Sequence, residues 1–262
     1  MRRPNRALGD RPMDPTHRTF LLALGAAASV GYAAHRASQG DIRGPGAVTR
    51  LYDRVAPAYD ATAWVFRPLG ARRLQQRAID LLDLQPGDTV VDLGCGTGVN
   101  LPELAHRVGV SGRVVGVDLS PGMLARARGR VERHHLPHVT LVQADIRDVR
   151  LPDGTAAVLA TASMEMVPEY DEVIRDLADQ LAPTRGRLAV GGVRRPTTWP
   201  GWAVAIGRSA TALFGVTRAY EDLEPWRSVG EHMDEIAFET AAGGALYFVV
   251  ARTRSTSGDV AE

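Results

Sequence analysis

The chain has 262 residues, 45% of them hydrophobic, and a formal net charge of +1, enough apolar material for one large domain with a full core. All 31 basic residues are Arg, which excludes Schiff-base chemistry, P-loop lysines and lysine general bases, and the lone Cys95 excludes an internal disulfide and a multi-cysteine zinc site. Charge is uneven: residues 1–50 hold eight Arg against three Asp and no Glu, leaving a mildly acidic remainder that argues against nucleic acid as a partner.

Residues 1–47 read as a basic N-terminal segment. Within it Phe20 to Ala34, FLLALGAAASVGYAA, is apolar between Arg18 and Arg36 and shorter than the roughly 20 residues a membrane span needs. Three readings stay open here: a helix anchored in or lying on a membrane, an accessory helix on the domain, or a cleaved secretory signal. Met13 offers an alternative start. ASQGDIRGPGA at 37–47 is a linker by composition, so a single domain is expected over 48–254, with a disordered tail at 255–262.

From Val48 to Leu84 the pattern is helical, with Leu74, Ala78, Leu81 and Leu82 on one face and Pro86-Gly87 as the stop. Strands are expected at Thr89–Leu93, Arg113–Asp118, Val139–Ala144, Ala156–Thr161 and Arg187–Gly192, with helices near 98–108, 121–135 and 171–182. Such alternation implies a parallel sheet with helices on both faces. IAFETAA, Gly243-Gly244 and ALYFVVAR then read as a hairpin whose last strand runs antiparallel.

After the first strand the chain reads VVDLGCGTGVN. Gly94, Gly96 and Gly98 permit a tight turn and a close approach of backbone to ligand at the carboxyl end of a strand. A dinucleotide loop would read GxGxxG, but here Val99 stands at the third glycine and the loop is GxGxG. Asp118, at the end of the second strand, is placed to take both ribose hydroxyls, and Ser120-Pro121 starts the next helix as N-cap and first-turn proline. Asp145, after the third strand, is placed to accept from an exocyclic amine such as adenine N6. Alone, the second-strand acid suits a nicotinamide dinucleotide and an adenosyl cofactor equally.

Taken together, loop, spacing, three acids and terminal hairpin resemble the class I S-adenosylmethionine-dependent methyltransferases over about residues 48–254. The resemblance implies a Rossmann-like α/β fold, a seven-stranded mostly parallel sheet of order 3-2-1-4-5-7-6 with helices on both faces. It implies S-adenosylmethionine as cofactor, with Gly94, Cys95, Gly96 and Gly98 against its amino acid part and Asp92 near its ammonium. Asp118 would hold the ribose beside Leu119, Asp145 and Ile146 the adenine, and Thr161 the floor. YDRVAPAYD at 52–60 resembles the ubiquinone and menaquinone C-methyltransferases and the bacterial phosphatidylethanolamine N-methyltransferases. That implies Tyr52 and Tyr59 folded over the cofactor, where an aromatic face favours a sulfonium cation.

The acceptor side is less legible. A segment at about 195–233 holds Trp199, Trp202 and Trp226 and is expected to cap the active-site mouth, which points to a small or lipophilic acceptor: a phospholipid head-group amine or a prenylated quinol. Membrane contact is expected through residues 20–34 and this Trp-rich cap, with the domain in the cytoplasm, where the cofactor is made. Methyl transfer depends mainly on near-attack placement. Glu165 in ASMEMVPEY stands where related enzymes often have a His and is the candidate catalytic residue, the alternative being a structural acid; His232 and Tyr220 are weaker candidates in the cap. His134, His135 and His138 read as a surface turn, and no metal is expected. Two departures from the family pattern stand out: strand four opens on Ala156 and Ala157, where an aromatic-Asp pair is usual, and TASMEM replaces the Asn/Asp-Pro-Pro-aromatic motif of base and glutamine N-methylation. A nucleotide-dependent oxidoreductase and a non-catalytic, membrane-tethered cofactor-binding module are the competing readings.

Overall fold

Short runs such as TVVDL and RVVGVD are apolar on both sides, as strands covered on two faces must be, and the chain arranges seven of them in one sheet of order β3-β2-β1-β4-β5-β7-β6. A computed structural model describes residues 46, 49, 50, 52, 53, 56, 59, 70–196, 198 and 223–254. The apolar stretch 20–34, most of the linker, Trp199, Trp202, Tyr220 and the tail 255–262 lie outside the described residues.

The strands are β1 (Thr89–Leu93), β2 (Arg113–Asp118), β3 (Val139–Gln143), β4 (Thr155–Thr161), β5 (Arg187–Val193), β6 (Asp234–Ala241) and β7 (Leu246–Arg252). Among the fully described stretches, the helices of a turn and a half or more are α1 (Ala71–Leu81), α2 (Leu101–Val108), α3 (Pro121–Arg133), α4 (Tyr170–Leu181) and α5 (Pro225–His232). Strands β1 to β5 pair in parallel, while β7 runs antiparallel to both β5 and β6. Alternate residues of the strands feed two cores. Val90, Val114, Leu159 and Val250 meet α1, α2 and α3, while Val91, Val115, Val158 and Val249 meet α4 and α5.

Helix boundaries move from the sequence reading for identifiable reasons. α1 ends at Leu81 with Leu82 as cap, because Asp83 turns left-handed (φ 55°); the Pro86-Gly87 turn, where Gln85 N donates to the Asp88 carboxylate at 2.7 Å, only launches β1. Ile79 is buried in α1 beside Ala78 and Leu82, whereas Leu74 and Leu81 pack at the edge of that core. α2 starts at Leu101 instead of near 98, since three glycines with φ of 68°, 56° and 75° hold residues 94–98 out of the helix. The hairpin turn is longer than Gly243-Gly244 alone: Ala241 pairs with Leu246 and Ala242 joins both glycines at positive φ. α5, within the expected cap, lies on the flank instead, where Ser228 and His232 both bond Asp171 of α4, at 2.6 and 3.0 Å. Among the described residues no helix is long and apolar enough to cross a membrane.

Chain order dictates where a ligand can enter. β1, β2 and β3 run outward to one edge and β4 starts again beside β1, so the loops after β1 and β4 diverge and open a crevice at the carboxyl ends of the strands. Leu159, fully buried in β4 next to β1, is central to that arrangement. Leu159→Ala is expected to cost about 2–5 kcal/mol of stability, read as a lower urea midpoint with an unchanged denaturant slope.

Candidate active site

At the crevice a cleft of about 820 Å³, its open mouth included, is lined by the loops after β1, β2, β3 and β4 and by Tyr52 and Tyr59. Of the residues expected from sequence, Tyr59, Gly94, Gly96, Asp118, Leu119, Asp145, Ile146 and Thr161 line it. Asp92, Cys95, Gly98 and Glu165 do not.

The three loop glycines have different reasons to be glycine. A Cβ on Gly94 would stand 2.4 Å from the Ser163 Cβ, so the β1 loop can pass the β4 loop only without a side chain. Ser163 fastens the same crossing by donating from Oγ to the Leu93 carbonyl at 2.9 Å. A Cβ on Gly98 would meet Leu101 at 2.7 Å and Ala127 at 3.1 Å, which is helix packing, away from the cleft. At Gly96 a Cβ would meet nothing within 4 Å; its bare backbone borders the open space of the cleft. Cys95 points the other way, into the core against Gly116, and burial pushes its thiol up.

The three acids sit in three electrostatic states. Asp92 is completely buried and neither oxygen meets a donor in hydrogen-bond geometry. Burial raises its pKa to about 7; the Asn100 amide, whose firm bond is to Thr161 Oγ1 at 3.1 Å, offsets part of that rise and the Asp118 charge adds to it. Asp118 accepts from Gly96 N at 2.8 Å and from Ser120 N at 2.9 Å. Burial still raises its pKa against those bonds, and each oxygen keeps lone-pair capacity for a further donor. Asp145 is clasped by Arg147, whose N, Nε and Nη2 donate at 3.0, 3.0 and 2.7 Å and hold the carboxyl below its ordinary pKa. About one acceptor site of four is left on Asp145 for an exocyclic amine.

Sequence reasoning missed Arg147, Met123, Ala162, Ser163, Met166 and Val167, all of which line the cleft. Arg147 spans the mouth, reaching Glu169 at 3.6 Å as well as Asp145; its only signal was lying two residues beyond Asp145. Ala162 is left-handed (φ 54°) at the end of β4, a conformation uncommon for a non-glycine that no composition signal marks. Glu165 lies beneath this wall. It is 3% exposed, its Oε1 accepts from the Tyr247 hydroxyl at 3.0 Å, and Oε2 has no donor in hydrogen-bond geometry. It fits only because position 192 is glycine, whose Cβ would fall 1.4 Å from Oε1. Trp226 packs edge-on to Tyr247 with ring centroids 4.8 Å apart, under the Arg194 guanidinium, outside the cleft. Among the described residues no three His, Cys, Asp or Glu side chains converge as metal ligands would; His138 bonds the Ala105 carbonyl, and His135 turns left-handed after α3.

A parallel sheet with an antiparallel last strand, a glycine loop open to a cleft and an acid at the end of β2 together define a nucleotide-type cofactor site at the carboxyl ends of the strands. Residues 90–184 match the methyltransferase domain family. The chain is 29% identical over 217 residues to the 2-phytyl-1,4-naphtoquinone methyltransferase of Trichormus variabilis, spanning 78% of this chain and 93% of that protein. It is 35% identical over 156 residues to the nocamycin O-methyltransferase of Saccharothrix syringae, 59% of this chain and 54% of that one. Its fold matches the crystal structure of an S-adenosylmethionine-dependent methyltransferase from Aquifex aeolicus with a TM-score of 0.54 at 19% identity, over 68% of this chain and 89% of that one. Residues 90–184 thus carry a methyltransferase domain, and the relatives and the fold together support an S-adenosylmethionine-dependent methyltransferase.

Two tests follow from the site itself. Gly96→Ala is expected to cost about 1 kcal/mol from its left-handed backbone alone and to weaken S-adenosylhomocysteine binding at least ten-fold by titration calorimetry; Gly94→Ala, which also collides with Ser163, should lose at least twice that stability. Asp92 and Glu165 are both pushed up to about 7, from 3.8 and 4.5. A carboxyl whose folded pKa exceeds its unfolded value binds its proton more tightly when folded, so its stabilisation is complete below the unfolded pKa and is lost as pH rises through the folded one. Ligand-free stability should therefore fall between about pH 4.5 and 7 by roughly 1 kcal/mol per pH unit per group, and Glu165→Gln should remove one group's share in urea unfolding at several pH values.

Proposed function

We propose that this enzyme methylates a prenylated quinol, and the observation that carries the reading is the cleft wall. Beside the polar groups at Gly96, Asp118, Asp145, Arg147, Thr161, Ser163 and Glu169, the lining includes Tyr52, Tyr59, Met166, Val167 and Pro168, an aromatic and aliphatic surface suited to a flat ring with a greasy tail. Its likeness to a naphthoquinone methyltransferase over most of the chain supports the same acceptor class.

The residues present fit S-adenosylmethionine. Gly96 leaves backbone bare toward open cleft, Asp118 is preset by two backbone donors with lone pairs to spare, and the buried Asp92 has unanswered acceptor capacity beside the loop. In this reading Asp118 takes the ribose hydroxyls, Leu119 and Ile146 flank the adenine, Asp145 takes the exocyclic amine with its remaining site, and Asp92 faces the ammonium side through the glycine turn. The cofactor, when bound, supplies a sulfonium-activated methyl group. The chain's own work is to orient and to exclude water: Tyr52 and Tyr59 close the mouth, and Met166 and Val167 set the acceptor's distance.

Glu165 serves this reaction as a positioning residue. Held by Tyr247 and by the room at Gly192, it anchors the turn Met164–Met166 that delivers Met166, Val167 and Pro168 to the wall. On this reading the domain works in the cytoplasm at a membrane surface, a reading supported by the apolar run 20–34 and the Trp content of residues 195–233.

Incubation of the full chain with methyl-labelled S-adenosylmethionine and vesicles carrying a demethylated naphthoquinol is expected to place label on the quinol ring. Asp118→Ala should lower kcat/KM at least 100-fold. Label on phosphatidylethanolamine would instead identify the head-group amine as acceptor, and label on neither, with S-adenosylhomocysteine binding intact, would exclude a lipid acceptor of either kind.

A further inference from the structure

Tyr52, Asp53, Ala56 and Tyr59 are helical, and the two tyrosines line the cleft with rings 6.3 Å apart. Asp53, next to Tyr52, does not face the cleft with them. Its Oδ1 accepts from the Ser120 hydroxyl at 2.5 Å and from the Gly122 backbone N at 2.9 Å. Ser120 is the N-cap of α3 and accepts from Met123 N at 3.0 Å, so two of the helix's orphan donors are answered, one locally and one by a carboxylate from far upstream in the chain. A carboxylate at a helix N-terminus is favoured by the helix dipole as well.

Position 122 is shaped for this contact. A Cβ on Gly122 would stand 2.9 Å from Asp53 Oδ1 and 3.2 Å from the Asp53 Cα. Gly122 has no positive φ, so its own helix would prefer Ala there. What glycine does at this position is admit Asp53. The contact is also wired to the cofactor loop: Ser120, which donates its hydroxyl to Asp53, donates its backbone N to Asp118 at 2.9 Å, and the Asp53 charge is felt at Asp118, where it adds to the rise in pKa that burial causes.

We propose that Asp53 is a latch: seated on Ser120 and Gly122, it holds Tyr52 and Tyr59 at the cleft and thereby positions the two rings for the reaction. The proposal takes the cleft to be the methyl donor's, as above. Release of Asp53 loosens the tyrosines at the mouth without removing any group that lines it. Asp53 is therefore a positioning residue, and its effect should appear in ligand residence more than in the fold.

The test uses the full chain with Asp53→Ala, Gly122→Ala and the double variant. Hydrogen exchange without ligand is expected to show at least ten-fold faster exchange of residues 52–59 and of the Gly122 amide in each single variant. The S-adenosylhomocysteine dissociation rate should rise at least ten-fold in each, and the double variant should be no worse than Asp53→Ala alone, as two halves of one contact require. The melting temperature separates this from plain destabilisation, because Gly122→Ala should hold or raise it by favouring the helix while still speeding release. Unchanged exchange in the single variants, additive losses in the double, or faster exchange with an unchanged dissociation rate would each overturn the latch. Should the wild-type chain bind no S-adenosylhomocysteine, the cofactor reading fails, and the exchange measurement alone then decides whether Asp53 holds the segment.

Discussion

The molecule turns on one close crossing. Where the strand order turns back between the parallel β1 and β4, the loop at Gly94 passes Ser163 with no room for a Cβ, and Ser163 ties itself to Leu93. Bring these loops apart and the crevice widens into solvent; put a side chain between them and β4 must shift against β1. With the crossing in place, the carboxyl ends of four parallel strands face one cleft, and the helices behind them keep the strands dry on both sides. Dry strands make the loop backbone rigid, and a rigid backbone can hold donors and acceptors in position before any ligand arrives.

That preorganisation is visible in how differently the carboxylates are treated. Asp118 is half-buried at the cleft and supported by two backbone donors, which aim its oxygens and offset part of the rise in pKa that burial causes. Asp145 is held by an arginine that also spans the mouth to Glu169, so that side of the cleft is fenced by an ion pair rather than by apolar packing. Asp92 and Glu165 receive no comparable support and are driven toward their neutral forms by burial. Such buried groups cost folding free energy, and both lie directly behind residues that shape the cleft. The pattern is that of a site where stability is given up locally for geometry.

Much of the fold was legible because its signals are local. β1 and β2 fall on the residues expected, since apolar runs ending in Asp beside Gly or Ser mark both strand and stop. The order of strands and the antiparallel β7 followed from resemblance and from the hairpin pattern. Helix ends were less readable: three glycines delay α2, and left-handed Asp83 stops α1 before the proline turn that looked like its boundary. The site divides in the same way. Residues placed by strand ends, such as Asp118, Asp145 and Thr161, reach the cleft, while Cys95 and Gly98, equally part of the loop motif, turn into the core.

By itself the sequence determined the period of the strands and helices, the glycine loop and the acids at strand ends, because each rests on spacing along a few consecutive residues; the class of cofactor followed from what their joint resemblance to a family implies. Only the tertiary structure decided which face of the loop meets the cleft, that Glu165 lies behind the wall against Tyr247, that Arg147 clasps Asp145, and that Asp53 seats on α3 across 67 and 69 residues of chain. The reason is physical. Those contacts join segments remote in sequence, and which partners meet is settled by how the crossing at Gly94 and the packing on each face of the sheet bring the chain together, not by any pattern within the segments themselves.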